Sequence, residues 1–74
     1  MQITVKLFAM FRNDRFKVAQ QEFSEGSDCR AIVRGLALTE SEIGVVMLNG
    51  RHAALDRILC EGDTLSLFPL IGGG

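Results

Sequence analysis

The sequence is poor in the residues that mark catalytic and metal-binding proteins. It has one histidine, His52, and two cysteines, Cys29 and Cys60, which lie 31 positions apart with no Cys-x-x-Cys pair. This spacing argues against a zinc site and a dithiol redox site, so we expect reduced, half-buried structural thiols. His52 has no cysteine or acid at a catalytic spacing. We therefore expect neither a metal nor a bound cofactor.

Clustered charge and long apolar runs are also scarce. Eight basic residues face nine acidic ones in 74 residues, for a net charge of −1, and neither sign is clustered. This balance argues against a nucleic-acid or anionic-membrane partner. Residues 1–6 alternate in polarity and lack the apolar core of a signal peptide, and no run approaches the length of a membrane span. We expect a single small domain in the cytoplasm.

Alternation predicts a hairpin in the first third of the chain. Apolar residues take every second position over residues 2–8, as in a strand with one buried face. Residues 12–15 favour a turn, so residues 16–23 form the returning strand. The apolar residues of this strand shift from even to odd positions near its middle. This shift indicates either a bulge or a short strand whose second half lies at the edge of the sheet. Arg12 and Arg15 are either anion ligands or solvated loop charges.

A helical spacing follows the hairpin. Ser27 or Asp28 is a plausible N-cap, and the residues after it carry an apolar stripe at i, i+3, i+4 and i+7. The stripe consists of Cys29, Ile32, Val33 and Leu36. It predicts an amphipathic helix packed on one face of a sheet. Thr39 and Glu42 have the spacing of a capping box, which predicts a short turn.

The second half of the chain reads as strands joined by tight turns. Residues 45–48 are continuously apolar and predict a strand buried on both faces, followed by a primed turn at Asn49-Gly50. Residues 51–53 return as a very short strand, and residues 54–60 have the spacing of a single helical turn. After a turn at 61–63, residues 64–68 form the last strand.

The chain ends on a segment unlike the rest, Phe68, Pro69, Leu70, Ile71, Gly72, Gly73 and Gly74. A proline cannot donate to a sheet ladder, and three glycines can enter a passage that any Cβ would block. We divide the chain into a body of residues 1–69 and a flexible tail of residues 70–74, whose Gly74 carboxylate is the candidate reactive group. A frayed end without function is the alternative. The apolar residues before the glycines either contact a partner or fold back onto the sheet.

These elements predict an α+β fold of order ββαβ(β)β, in which one helix packs on a small mixed sheet. The first and last strands have one clean apolar face each, so we expect them to be central and parallel.

The chain resembles the ThiS/MoaD-type sulfur carrier proteins of the ubiquitin-like β-grasp superfamily. It is most similar to the MoaD branch, the small subunit of molybdopterin synthase. The matching stretches are Leu7-Phe8-Ala9 with Arg12, Val46 to Arg51 with its Asn49-Gly50 pair, Glu61-Gly62-Asp63 to Pro69, and the terminal Gly73-Gly74. Leu70 stands where a second proline is usual, and Gly72 adds a third glycine. The pathway therefore stays open between molybdopterin, a tungsten-cofactor variant, thiamin and another sulfur route.

The resemblance implies a carrier that performs no catalysis itself. An E1-like adenylyltransferase of the MoeB/ThiF type would use ATP to adenylate Gly74, and a sulfur donor would convert it to a thiocarboxylate. The acceptor would be an enzyme such as the large subunit of molybdopterin synthase. Gly73 would admit the tail to the partner's active site, while Phe68, Pro69, Leu70, Ile71 and Gly72 would contact the partner. A β-grasp interaction module without terminal chemistry and a protein-conjugating modifier are the alternatives.

Overall fold

The first and last strands lie side by side at the centre of one five-stranded sheet. The computed structural model describes residues 1–71. Its strands are β1 (Gln2–Leu7), β2 (Val18–Glu22), β3 (Ile43–Leu48), β4 (Arg51–His52) and β5 (Thr64–Pro69), and its helix is α1 (Cys29–Gly35). The spatial order is β2-β1-β5-β3-β4, with β1 parallel to β5 and the other pairs antiparallel. This is the α+β arrangement that the element order predicted, and it is the ubiquitin-like β-grasp fold that the resemblance implied.

The core lies between α1 and one face of the sheet, which we call the inner face. Alternate strand residues point into it because successive side chains of a strand face opposite ways. The side chains with no exposed surface are Ile3, Val5, Leu7, Cys29, Ile32, Val33, Leu65 and Leu67. The strand alternation therefore identified core residues correctly, as did three of the four stripe residues, whereas Leu36 is only partly buried just beyond the end of α1. Cys60 differs from its prediction because it is exposed, whereas Cys29 is buried and both thiols are free.

The hairpin β1-β2 resolves the ambiguity in the second strand. Its register runs without interruption from the pair Gln2–Glu22 to the pair Lys6–Val18. The strand is therefore a short edge strand, and the bulge alternative is wrong. The reversal contains a 3₁₀ turn at Ala9–Arg12.

Helix α1 begins at the second of the two candidate caps, Asp28. Asp28 has an extended backbone, and its Oδ1 accepts a 2.9 Å hydrogen bond from the Ala31 N–H. This bond satisfies one of the donors that the first helical turn leaves unpaired. The capping box after the helix is also confirmed, because the Thr39 N–H donates to Glu42 Oε2 at 3.0 Å beside the 3₁₀ turn Glu40–Glu42.

Strand β3 is buried on one face only, contrary to the prediction from its continuous apolar run. Val46 and Leu48 point into the core and are 8% and 7% exposed, whereas Val45 and Met47 are only partly buried. The reason is that α1 covers one face of the sheet, so the apolar residues of the opposite face remain accessible. We call that opposite face the outer face.

The prediction of a helical turn at residues 54–60 is wrong, although the primed turn before it is right. Asn49 and Gly50 both have positive φ, 52° and 80°, as a type I′ turn requires. In the following segment Leu55 and Arg57 carbonyls accept from the first N–H groups of α1, and the Leu59 N–H donates to Ser27. These backbone groups are thus used in contacts with the helix start, which leaves them unavailable for a helix of their own.

Candidate functional site: an apolar groove at the end of the last strand

Two aromatic rings mark the outer face where β5 ends. Phe8 and Phe68 stack with their centroids 4.2 Å apart and their planes 14° from parallel. They meet because the parallel register sets Leu7 beside Leu67, so the next residue of each strand lies side by side on the outer face. Phe68 is partly buried by this contact.

Arg12 supports the stack from the loop. Its Nε donates a 2.8 Å hydrogen bond to the Leu7 carbonyl, and its Cζ lies 5.4 Å from the centre of the Phe8 ring. This distance is within the range of a cation–π contact. Arg15 likewise contacts backbone, since its Nε donates to the Leu36 carbonyl at 3.2 Å. Both arginines therefore donate hydrogen bonds to backbone carbonyls, a role that neither of the two sequence interpretations anticipated.

An open apolar groove of about 560 Å³ runs beside the stack. It is lined by Gly44, Val45, Met47, His52, Phe68, Pro69, Leu70 and Ile71. Val45 is paired with Phe68 and Met47 with His52, so three neighbouring strands supply the wall. Among these lining residues, His52 alone has a titratable side chain. The groove is thus suited to binding an apolar surface, and it offers no set of groups for acid–base or nucleophilic chemistry.

The predicted contact residues fall into two groups at this groove. Leu70 and Ile71 are 63% and 78% exposed, so they do not fold back onto the sheet. Pro69 is buried as the last residue of β5 and forms part of the groove wall. The Leu70 N–H still donates to the Glu42 carbonyl at 2.8 Å, so backbone contact with the body extends one residue beyond the predicted boundary. Gly72, Gly73 and Gly74 lie outside the described residues, and their predicted roles stay predictions.

Sequence reasoning missed four lining residues, Gly44, Val45, Met47 and His52. Phe8 was also missed as a functional residue, although it stands in the sequence pattern of the first strand. The alternation of the two strands could have revealed Phe8. It takes the position after Thr4 and Lys6 on the polar side of the first strand, just as Phe68 follows Ser66 on the polar side of the last strand. An aromatic on the polar side of two adjacent strands predicts a pair on the outer face.

Residues 1–71 contain neither a metal-binding cluster nor a membrane-spanning helix. No group of three or more histidine, cysteine, aspartate or glutamate side chains there is arranged to hold a metal ion. None of the helices in this part of the chain has the length and apolarity to cross a membrane.

The sequence model of the ThiS family matches residues 5–74. The chain belongs to the ThiS family. Among curated proteins the search found no match. The membership explains why the resemblance in the four motif stretches extends over nearly the whole chain.

Solved structures similar to this family member share its fold. SAMP1 from Haloferax volcanii has 26% identity and a TM-score of 0.76, with full coverage of both chains. A Pyrococcus furiosus protein described as molybdopterin converting factor, subunit 1, has 24% identity and a TM-score of 0.79, covering 96% of this chain and 99% of its own. A chain from the complex of subunits 1 and 2 of the molybdopterin-converting factor from Helicobacter pylori has 22% identity and a TM-score of 0.65, with full coverage of both.

Proposed function

We propose that this protein is a sulfur carrier whose reactive group is the carboxylate of Gly74. The observation that carries the proposal is the ThiS family match, which continues through residue 74. The body supports it, because β5 ends beside an apolar groove from which Leu70 and Ile71 project. Such a groove would let a partner bind the body first, and only then would the tail be ordered in its active site.

The chemistry belongs to the partners. In an E1-like adenylyltransferase, a Gly74 carboxylate oxygen would attack the α-phosphorus of ATP and displace pyrophosphate. The resulting acyl-adenylate has AMP as its leaving group, so sulfide supplied by a donor can attack the carbonyl carbon and expel AMP, which leaves a thiocarboxylate on Gly74. The carrier contributes an accessible carboxylate and a docking surface. Its sulfur would serve cofactor biosynthesis in the cytoplasm, with molybdopterin or its tungsten counterpart ahead of thiamin as the product.

The partner surface on this chain is the groove together with the tail residues. Phe68, Leu70 and Ile71 would supply the apolar contacts that hold the carrier, as clustered aromatic and aliphatic residues do at interface hot spots. Gly72 and Gly73 would pass through the narrow approach to the ATP site. The proposed acceptor is an enzyme of the type of the molybdopterin synthase large subunit.

A second candidate function is conjugation to other proteins. It is favoured by the similarity to SAMP1, a small archaeal modifier protein, at 26% identity. Both functions begin with the same activated carboxylate and differ in the nucleophile that attacks it, which is a sulfur donor in one case and a lysine amine in the other.

Mass spectrometry of the intact protein tests these candidates. The chain ending at Gly74 is expressed in cells with a sulfur-transfer system, and its C-terminal peptide is analysed. Replacement of one oxygen by sulfur on Gly74 supports the carrier, and an isopeptide between Gly74 and a lysine supports the modifier. The matched control lacks Gly73 and Gly74 and should show neither product. Absence of both products, with no ATP–pyrophosphate exchange by E1-like enzymes, would favour an interaction module without terminal chemistry.

A further inference from the structure

Gly44 lies where the pairing between β3 and β5 is irregular. Ile43 is opposite Pro69 and Val45 is opposite Phe68, so two adjacent β5 residues face three residues of β3. Gly44 is the extra residue, as in a β-bulge. The bulge therefore lies beside the point where the tail leaves the sheet.

The tail backbone passes so close to Gly44 that no side chain fits. A Cβ at this position would lie 2.7 Å from the Pro69 carbonyl oxygen, 2.9 Å from Leu70 Cα and 3.0 Å from Leu70 N. All three are backbone atoms, so a change of side-chain rotamer cannot relieve the contact. The φ of Gly44 is outside the positive region, unlike that of Gly50 or Gly62. The close approach, and not the local backbone conformation, is what requires glycine here.

This close approach accompanies a hydrogen bond that holds the start of the tail. The Leu70 N–H donates to the Glu42 carbonyl at 2.8 Å. Glu42 is itself fixed by the capping box, in which its carboxylate accepts from the Thr39 N–H. The first tail residue is thus tied to a turn of the body. Residues 71–74 follow it and, fully extended, reach at most about 14 Å.

We propose that Gly44 is a positioning residue for the C-terminal tail. By lacking a Cβ it lets Pro69 and Leu70 lie against the bulge, which fixes the direction in which the chain departs toward the partner's active site. The inference rests on the proposed function. Its energetic basis is preorganisation, because a residue already ordered in the free protein costs no further conformational entropy on binding.

The test compares Gly44→Ala with Gly35→Ala. Gly35 is the matched control, since a Cβ there meets no atom within 4 Å and its φ is not positive. In Gly44→Ala, amide exchange at Leu70 should become ~10-fold faster or more, because its hydrogen bond is displaced. The kcat for adenylation by the MoeB/ThiF-type enzyme of the same organism should fall on the order of 10- to 100-fold, through misplacement of the carboxylate. Gly35→Ala should match the wild type in both measurements.

A second variant addresses the same hydrogen bond without a new side chain. Chemical synthesis can replace the amide of Leu70 by an ester, which removes the donor and leaves Gly44 unchanged. The ester protein should show the same loss of kcat, while complex formation measured by titration stays within about twofold of wild type because the groove is intact. This variant keeps the proposal testable even if Gly44→Ala does not fold.

The outcomes separate the inference from the proposed function. Unchanged Leu70 exchange in folded Gly44→Ala would overturn the anchoring role, whatever the partner does. Faster exchange with wild-type kcat would overturn the positioning role alone. A wild-type protein that no adenylyltransferase modifies would overturn the proposed function and the positioning role together.

Discussion

The stack of Phe8 on Phe68 predicts a measurable coupling between the first and last strands. Phe68→Ala removes a partly buried ring from the outer face. A fully buried phenylalanine costs about 3–5 kcal/mol when truncated, so a partly exposed one should cost about 2 kcal/mol. Of this, about 0.5–1.5 kcal/mol belongs to the ring–ring contact at 4.2 Å. For a chain of this size the loss corresponds to a fall in Tm of roughly 8–16 °C.

A double-mutant cycle isolates the coupling. The free energy of unfolding is measured by urea denaturation for wild type, Phe8→Ala, Phe68→Ala and the double variant. The coupling energy should fall within about 0.5–1.5 kcal/mol. Val18→Ala paired with Phe68→Ala is the control, because Val18 is on the edge strand and 53% exposed. A coupling for the two rings no larger than that of the control pair would refute the stacking argument.

The same variant tests the groove as a docking surface. If Phe68 contacts the adenylyltransferase as proposed, Phe68→Ala should weaken complex formation by about 2 kcal/mol, or roughly 30-fold in Kd. The rate of pyrophosphate exchange at saturating carrier should change little, since the tail is intact. Wild-type affinity in a folded Phe68→Ala protein would place the docking surface elsewhere.

Four further predictions follow from the burial of single side chains and from the tail. Leu65→Ala should destabilise by about 2–5 kcal/mol in denaturant titration, because Leu65 has no exposed surface, and a loss below about 1 kcal/mol would contradict its place in the core. Burial raises the pKa of the Cys29 thiol, so as the pH rises the unfolded chain loses this proton at a lower pH than the folded protein does. Stability should therefore be retained below the ordinary thiol pKa of about 8.5 and fall at higher pH, a fall that Cys29→Ala should reduce. A thiol reagent should modify exposed Cys60 in the native protein and Cys29 only on unfolding. Gly73→Val should leave unfolding unchanged and reduce the adenylation rate on the order of 100-fold at unchanged docking affinity, whereas activation at the wild-type rate would contradict the narrow-approach argument.

The inner face of the sheet was predictable from local pattern alone. Ile3, Val5 and Leu7 alternate with polar residues, as do Leu65 and Leu67, and every one of these apolar side chains is fully buried. Period-two alternation reports burial directly wherever one helix covers one face of a sheet. Local pattern placed the N-cap of α1 at Ser27 or Asp28, and the structure selects Asp28, whose bond joins atoms only three residues apart.

The failures occurred where contacts distant in sequence decide the outcome. Apolar spacing at residues 54–60 suggested a helical turn, but the backbone of that segment pairs with the start of α1. Likewise, β3 is continuously apolar because one of its faces lies in the core and the other lines the groove. A continuous apolar run cannot show whether the second face is buried in a core or exposed in a groove. The Phe8–Phe68 stack and the space beside Gly44 required the strand order and register, which arise from the whole sheet.

The central position of β5 explains how so small a body can direct its tail. Strand β5 is restrained by two ladders as far as Leu67, and the ladder to β3 continues through Phe68 and Pro69, so its end is held as that of a free strand would not be. Pro69 then ends the ladder because it has no N–H to donate, and the bulge at Gly44 leaves room for the departing backbone. The exit direction is therefore set by the same strand that carries Leu65 and Leu67 into the core. The room for the departing backbone comes from the bulge and not from the side chains of the inner face. A core substitution that keeps the protein folded should therefore leave the direction of the tail unchanged, whereas a single Cβ at Gly44 should alter it.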